Sequence, residues 1–383
     1  MQSRPPRANC EAGVLKRFRE TFKPPLSQFG FPIPVPWLKI NIHLATFAHN
    51  AHTNLAVEAH GLASGCKMFG MLNWLVIGIG DITTKRVIPA ILSEQRSRLW
   101  GIVTRDPTKA ARFGVPAFTD LGEALEADDV NAVYVASPVF LHAPQTLASL
   151  RAGKHVLCEK PMAMNYVEAR SMVEAAEATG KTLGIAYYRR TYPKVQRARE
   201  LLQRGAIGQP LLAYVTCQDW LPGEDAARTW LLDPAQAGGG PLYDVGSHRI
   251  DVLNFLFGEP ERVTAQLSNA VHALEVEDCA TVLIDYRSKV RAIVDVRWNS
   301  RVPRDEFRVV GTDGEMDLTP LNGPELVYPG GRESLPAHAN LHFPGIKNFV
   351  DAVLDGTPLL STGATALWTD WVTEQAVAGR VNS

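Results

Sequence analysis

From Leu72 onward, short apolar runs alternate with amphipathic stretches. Leu72–Ile77 is almost wholly apolar and ends at a glycine, the pattern of a strand buried on both faces. Val87–Leu92 repeats its apolar residues at helical spacing. Leu99–Thr104, Ala132–Ala136, His155–Cys158 and Thr182–Ala186 predict further strands. Helices are predicted around Gln145–Arg151 and over Tyr166–Thr179. Strand and helix in turn over residues 72–186 predict a parallel, doubly wound sheet with helices on both faces.

After Tyr188 the rhythm changes. A helix over Lys194–Gln203 leads into strand-like runs at Pro210–Gln218, Arg262–Val271, Ala280–Tyr286, Arg291–Trp298 and Phe307–Gly311. Turn residues such as Thr312-Asp313-Gly314 separate the later ones. Consecutive strands with short links predict a mostly antiparallel, open sheet. A helix over Leu242–Phe257 interrupts them, and helices near Gly345–Leu354 and Ala364–Ala378 close the chain. The expected fold is α/β, with a doubly wound domain over residues 71–190 and an α+β domain over residues 191–383, whose last helices can return to pack on the first.

Residues 1–70 have a different character. Pro5, Pro6, Pro24, Pro25, Pro32, Pro34 and Pro36 crowd the start, acidic residues are few, and no period holds. This segment reads as a disordered extension, or as sequence upstream of a true start at Met68 or Met71, rather than a targeting peptide. The whole chain is 46% hydrophobic and 21% charged, ordinary for a globular protein. A net charge of −1 without blocks of one sign argues against a nucleic-acid or membrane-surface partner. The absence of an apolar run long enough for a transmembrane helix agrees. The five cysteines, Cys10, Cys66, Cys158, Cys217 and Cys279, are scattered, which favours a reducing cytoplasm over a disulfide or zinc framework. His49, His52 and His60 lack companion ligands, so no metal is expected.

Strand Leu72–Ile77 runs into Gly78-Ile79-Gly80-Asp81-Ile82-Thr83, a G-x-G-x-x-(small) turn between strand and helix. One glycine permits the tight turn, the next lets a pyrophosphate approach the backbone, and the helix start supplies N–H groups. Within a βαβ pattern this predicts a dinucleotide site on a Rossmann domain. At the tip of the second strand, Thr104 and Arg105 suit a 2′-phosphate, so NADP is expected ahead of NAD; the competing reading gives Asp106 the acidic, NAD-favouring role. Ser137-Pro138 ends another strand and shapes a floor for the nicotinamide ribose, while His142 reads equally as a cofactor contact or a structural helix start.

Glu159-Lys160-Pro161 follows the strand His155–Cys158, where ligands bind in open α/β sheets. Lys160 there can reach cofactor and substrate together, with Glu159 a cofactor-side or structural contact. Downstream, Gly238-Gly239-Gly240-Pro241 opens a helix on which Asp244 and His248 stand one turn apart. The glycine turn, Glu159-Lys160-Pro161, and Gly239-Gly240 through Asp244 to His248 together resemble the glucose–fructose oxidoreductase/inositol dehydrogenase/MocA family over residues 71–380. That resemblance implies a catalytic trio of Lys160, Asp244 and His248. It also implies hydride exchange between NAD(P) and a secondary alcohol or carbonyl of a sugar, cyclitol or related compound. Some members carry Trp-Arg before the glycine run; here Trp230-Leu231 stands in that place, leaving Arg228 as a possible substitute. In chemical terms a neutral His248 accepts the hydroxyl proton, Asp244 orients it, and Lys160 stabilises the alkoxide.

Tyr188 and Arg189, after the last Rossmann strand, and Trp230 are candidate substrate contacts. The family resemblance further implies a homodimer or homotetramer through the sheet of the second domain. Two rival functions stay open: an NAD-dependent glycosidase with transient redox chemistry, and a non-catalytic cofactor-sensing regulator. The second sits poorly with a complete trio and no DNA-binding stripe.

Overall fold

The computed structural model describes residues 70–221 and 226–379, with the side chains of residues 226–228 outside the described set. The readings of residues 1–69 and of the Arg228 side chain therefore lie outside the described residues.

Five of the six residues of β1 (Leu72–Ile77) are buried, as its apolar run requires. It is followed by β2 (Ser97–Val103), β3 (Ala117–Phe118), β4 (Ala132–Val135), β5 (His155–Cys158) and β6 (Leu183–Ile185). All pair in parallel in the order β3-β2-β1-β4-β5-β6. The order reverses between β1 and β4, the crevice where this topology binds ligands. The helices α1 (Ile88–Ser93), α2 (Leu121–Leu125), α3 (His142–Arg151) and α4 (Tyr166–Thr179) form the crossovers. Asn165 caps α4 by accepting the Glu168 N–H at 2.9 Å, and Gly180 ends it at φ +63°.

The second domain starts with α5 (Pro193–Gln203) and the long strand β7 (Pro210–Trp220). Helices α6 (Pro234–Ala237) and α7 (Ser247–Phe257) precede β8 (Pro260–Ser268), β9 (Cys279–Tyr286), β10 (Arg291–Arg297) and β11 (Asn299–Gly311). Short edge strands β12 (Glu315–Asp317), β13 (Glu325–Tyr328) and β14 (Gly331–Ser334) follow, then α8 (Phe343–Asp355) and α9 (Gly363–Ala378). The sheet runs β14-β13-β12-β11-β7-β10-β9-β8 and is antiparallel except for the β7–β10 pair. Alternate residues Ala292, Val294 and Val296 of β10 and Ala280, Val282 and Ile284 of β9 point into one core beneath α7. Their neighbours Arg291, Thr281 and Leu283 face outward.

The closing helices knit the two domains. Ile346, Phe349 and Val350 of α8 bury against Trp74 and Tyr134 of the Rossmann sheet. Helix α9 contributes Ala366 to one core and Val372 and Ala376 to the other. Among the described residues no helix is long and apolar enough to cross a membrane.

Two elements differ from expectation. β11 begins at Asn299, eight residues before the predicted Phe307, because its polar first half is exposed and carries no apolar signal. The helix predicted over Leu242–Phe257 opens with a π-helical turn over Leu242–Gly246, where Gly246 approaches Val296 closely: a Cβ there would lie 3.3 Å from Val296 Cγ2.

Candidate active site

The two glycines of the first turn do different work. Gly78 adopts φ +94°, and a Cβ on it would lie 2.6 Å from the Ala136 carbonyl oxygen, so both conformation and the approach to the end of β4 exclude a side chain. Its N–H donates to Val103 O at 2.9 Å, tying the turn to the tip of β2. At Gly80 a Cβ would meet nothing within 4 Å. Packing inside the protein does not demand glycine there, whereas close approach of a second molecule to the backbone would. That open cradle, ahead of a helix beginning at residue 81, fits a dinucleotide pyrophosphate. Thr83 is buried and opens a π-helical turn to Val87, while Asp81 and Ile82 are exposed, Asp81 pairing with Lys85.

At the tip of β2, Asp106 is committed to its own turn. Its Oδ1 accepts from the Thr108 N–H at 3.1 Å and the Thr108 hydroxyl at 2.5 Å. The hydroxyl bond is the main cause holding this carboxyl below its usual range. Thr104 Oγ1 accepts the Asp106 N–H at 3.3 Å, and Arg105 is exposed.

Lys160 is joined to Pro161 by a cis peptide bond. Its Nζ donates to Asp244 Oδ1 at 2.9 Å and to the Asp244 carbonyl at 3.1 Å, a mostly buried pair linking the end of β5 to the π-helical turn. The turn beyond Lys160 is held from two sides. His142 is buried with Nδ1 2.9 Å from Pro161 O and Nε2 2.9 Å from Ser137 O. Both ring nitrogens are thus engaged with backbone, which makes His142 a structural link between the Ser137-Pro138 loop and the lysine turn. On the other side, Asp370 of α9 accepts the Ala163 N–H at 3.1 Å. Ser137 Oγ donates to Gln145 Oε1 at 2.6 Å, fixing the loop to α3.

His248 is buried, with Nδ1 lacking a hydrogen-bond partner among the described residues. Burial, then the positive charges of Arg189 and Lys160, push its pKa well below the usual histidine value, so the ring is neutral. Tyr187 and Tyr188 flank it edge-on, with ring centroids 5.9 and 5.0 Å away. The other face of this aromatic group is His342, 4.9 Å from Tyr188. His342 Nε2 lies 3.3 Å from Glu159 Oε1, which also accepts the Tyr134 hydroxyl at 2.8 Å. Burial opposes ionisation of Glu159, but His342, Tyr134 and Lys160 outweigh it and hold the carboxyl below its usual range. Glu159 therefore anchors the lysine turn to β4 and to the residue before α8.

Beside Asp244 opens a cavity of about 610 Å³. Its walls include Cys217, Gln218, Asp219, Arg249, Arg297, Arg304, Asp305 and Asn322. Most of its charges are paired: Arg249 with Asp305 at 2.8 Å, Arg297 with Asp295 at 2.5 Å, and Arg304 with Glu306 at 2.9 Å. These polar groups, mixed with the apolar Val245, Trp298 and Pro303, suit a molecule rich in hydroxyls.

The glycine run that leads to Asp244 is packed, not flexible. A Cβ on Gly240 would lie 2.0 Å from the Glu277 carbonyl oxygen, and one on Gly239 2.4 Å from the Tyr243 ring. The Glu277 carboxylate accepts the Gly240 and Leu242 N–H groups at 2.9 and 3.0 Å, fixing the start of the π-helical turn.

Comparison with known proteins matches residues 72–187 to the oxidoreductase family with an NAD-binding Rossmann fold, and residues 195–317 to the GFO/IDH/MocA C-terminal domain. The chain belongs to the GFO/IDH/MocA oxidoreductase family. Among its relatives is 1,5-anhydro-D-fructose reductase of Ensifer adhaerens, 32% identical over 78% of this chain and 93% of that protein. A D-xylose 1-dehydrogenase (NADP(+)) of Haloferax volcanii is 31% identical over 66% of this chain and 76% of its own. The crystal structure of aldose-aldose oxidoreductase from Caulobacter crescentus, complexed with glycerol, superimposes with TM-score 0.73 at 27% identity, covering 81% of this chain and 97% of that one. This GFO/IDH/MocA member is an NAD(P)-dependent oxidoreductase acting on CH–OH groups.

Of the residues expected from sequence, the fold brings Lys160 and Asp244 into contact and sets His248 beside Tyr188. Asp244 and His248 were expected to work together. The carboxylate of Asp244 reaches across to Lys160, and the buried Nδ1 of His248 has no partner among the described residues. Trp230 is half-buried on the segment Ala226–Leu232, and no contact among the described residues joins it to Lys160 or His248. Arg249, Asp305, Asn322 and His342 were not found from sequence. Arg249 adjoins His248 and was open to detection; the other three come from distant segments without a motif.

Proposed function

We propose that this oxidoreductase moves a hydride between NADP and a secondary alcohol or carbonyl of a sugar or related polyhydroxylated compound in the cavity beside Asp244. The observation that carries this reading is the Lys160–Asp244 ion pair at the edge of that cavity, which Asp244 lines, together with a neutral, buried His248 whose chain neighbour Arg249 lines it too. The nicotinamide, when bound, supplies the hydride acceptor or donor. Gly78, Gly80, Asp81, Ile82 and Thr83 form the cradle for its dinucleotide, with Thr104 and Arg105 at the ribose end and Ser137-Pro138 along the floor. His248 takes the hydroxyl proton during oxidation and returns it during reduction. Lys160 donates a hydrogen bond to the reacting oxygen and stabilises its developing negative charge, while Asp244 holds the ammonium in place. Tyr188 walls the site next to His248.

NADP is favoured over NAD because Asp106, the only acidic residue at the strand tip, is tied to Thr108, leaving the exposed Arg105 for a 2′-phosphate. The unpaired Cys158, Cys217 and Cys279 support a reducing, cytoplasmic setting. The broad outer face of the eight-stranded sheet supports a homo-oligomer, dimer or tetramer.

The test is to purify the protein, identify the nucleotide it binds, and screen sugars, polyols and keto-sugars for a change in nicotinamide absorbance with each cofactor. Turnover with NADP and a polyhydroxylated compound is expected. Release of a cleaved glycoside with no net change in cofactor redox state would overturn the reading in favour of a glycosidase.

A further inference from the structure

His342 touches both halves of the site and belongs to neither of its motifs. It stands at the N-cap position of α8 and is 4% exposed. Its Nε2 lies 3.3 Å from Glu159 Oε1. The same carboxylate accepts the Tyr134 hydroxyl through Oε1 at 2.8 Å and the Lys160 N–H through Oε2 at 3.2 Å. Glu159 thus joins β4, the lysine turn and His342. Burial opposes its ionisation, and among the influences that outweigh burial the contact with His342 is the largest. On its other side the His342 ring packs against Tyr188, with centroids 4.9 Å apart, and Tyr188 meets His248 at 5.0 Å. The segment that carries His342 is itself fixed. Asn340 Oδ1 accepts the His342 N–H at 3.1 Å, and Asn340 Nδ2 donates to Arg86 O at 2.8 Å, on the π-helical turn that follows the glycine cradle.

Lys160 follows β5 and His248 lies on α7, so their mutual position depends on contacts that bridge the two domains. Two groups that serve one reacting oxygen tolerate little error: a misplacement of about 1 Å can cost about 10²-fold in rate. The Lys160–Asp244 pair is one such bridge. The path Glu159–His342–Tyr188 is a second, built from other residues. Nδ1 of His342 is buried without a partner among the described residues, so the polar reach of this ring goes to Glu159. We propose that His342 is a positioning residue for hydride transfer: acting through Glu159, it holds Lys160 in register with the Tyr188–His248 side of the site. This rests on the hydride-transfer reading of the same site.

The experiment follows nicotinamide absorbance in single turnovers, with the compound that the wild type converts fastest in the screen of sugars, polyols and keto-sugars. His342→Phe keeps a ring against Tyr188 and removes the nitrogen that faces Glu159. It should lower the rate at saturating substrate about ten-fold or more, with KM and cofactor affinity within about two-fold of wild type. His342→Gln returns an N–H toward Glu159 and should recover part of the loss. A cycle with Lys160→Met separates positioning from packing. If His342 works through the lysine, Lys160→Met combined with His342→Phe should be nearly as slow as Lys160→Met alone, whereas an independent packing role would multiply the two losses. An unchanged rate in His342→Phe overturns the inference, and so do losses that multiply. Should His342→Phe fail to fold, Glu159→Gln, which keeps the volume and an acceptor for Tyr134, enters the same cycle with the same two outcomes. A wild type that converts none of the compounds brings down the hydride-transfer reading and this inference with it; wild-type turnover matched by His342→Phe brings down this inference alone.

Discussion

Lys160 and Asp244 meet across the junction of the two domains, with Nζ 2.9 Å from Oδ1 and 3.1 Å from the Asp244 carbonyl. The lysine comes from the end of a Rossmann strand and the aspartate from a π-helical turn 84 residues later. Neither position is meaningful alone. On the proposed reading, the pair holds the ammonium that stabilises the substrate oxygen. Lys160→Met should therefore lower kcat by about 10²- to 10³-fold, the scale of one lost electrostatic stabiliser. Binding of the cofactor should persist, because the glycine turn is untouched. Asp244→Asn keeps the main-chain acceptor for Nζ and should cost less than Lys160→Met. Single-turnover rates at saturating substrate separate the two, and equal rates in wild type and Lys160→Met would remove the lysine from the chemistry.

Gly78 and Gly80 should behave oppositely when changed to alanine. Gly78→Ala places a side chain at φ +94° and 2.6 Å from the Ala136 carbonyl oxygen, so the fold itself should lose stability, by roughly 1–3 kcal/mol or more. Gly80→Ala meets nothing within 4 Å and should melt like the wild type. It should nevertheless weaken cofactor binding by about ten-fold or more, because the methyl group fills the space that a pyrophosphate would enter. Thermal unfolding with and without nucleotide reads both effects. A Gly80→Ala protein with wild-type affinity would place the dinucleotide elsewhere.

His248 sets a sign for the pH dependence. A base works when unprotonated, and burial with the neighbouring Arg189 and Lys160 charges moves the pKa of this imidazole well below its usual value. Oxidation should therefore keep its rate as pH falls from 8 to about 6, with any acid limb due to His248 lying lower. His248→Gln should lower kcat by about 10²-fold or more across that range. A limb near the ordinary histidine value, about 6.5, that disappears in His248→Gln would contradict a buried, neutral ring.

What the sequence revealed and what it hid follow from the range of the interactions. The Rossmann strands were legible because β1 and β4 are buried on both faces and so read as unbroken apolar runs. The glycine turn was legible because backbone conformation and cofactor approach both act within six residues. β3 was not, being two residues long, and β12 to β14 have three or four residues each, too short for a period of two to register. The parallel pairing of β7 with β10 is a long-range choice with no local mark. The site shows the same division. Lys160, Asp244 and His248 lie in motifs, but the contacts that position them do not: Glu159 is held by His342, 183 residues on by number, and Asp370 grips Ala163 from the last helix. Helical spacing places Asp244 and His248 on a shared face, but the reach of the Asp244 carboxylate from its π-helical turn to Lys160 is a long-range contact with no local mark.

The Arg190–Asp251 pair tests how the domains are joined. Both side chains are fully buried, at 1% and 0% exposure, and the fork is bidentate: Nη2 to Oδ1 at 2.6 Å and Nε to Oδ2 at 2.9 Å. Arg190 Nη1 also donates to Leu360 O at 3.0 Å and to the Thr365 hydroxyl at 2.7 Å, so one guanidinium ties α7 to the approach and first turn of α9. Burial raises the Asp251 pKa despite the arginine, a sign of how poorly this environment tolerates a lone charge. Asp251→Ala should therefore destabilise the protein by about 3–5 kcal/mol, because it strands a buried guanidinium. Arg190→Met combined with Asp251→Leu removes both charges and restores apolar volume, and should be less destabilised than Asp251→Ala alone. Urea unfolding midpoints of the two variants at one pH give the comparison. A double variant that unfolds before Asp251→Ala would show that the hydrogen bonds of Arg190 to the start of α9, and not its charge balance, hold the junction together.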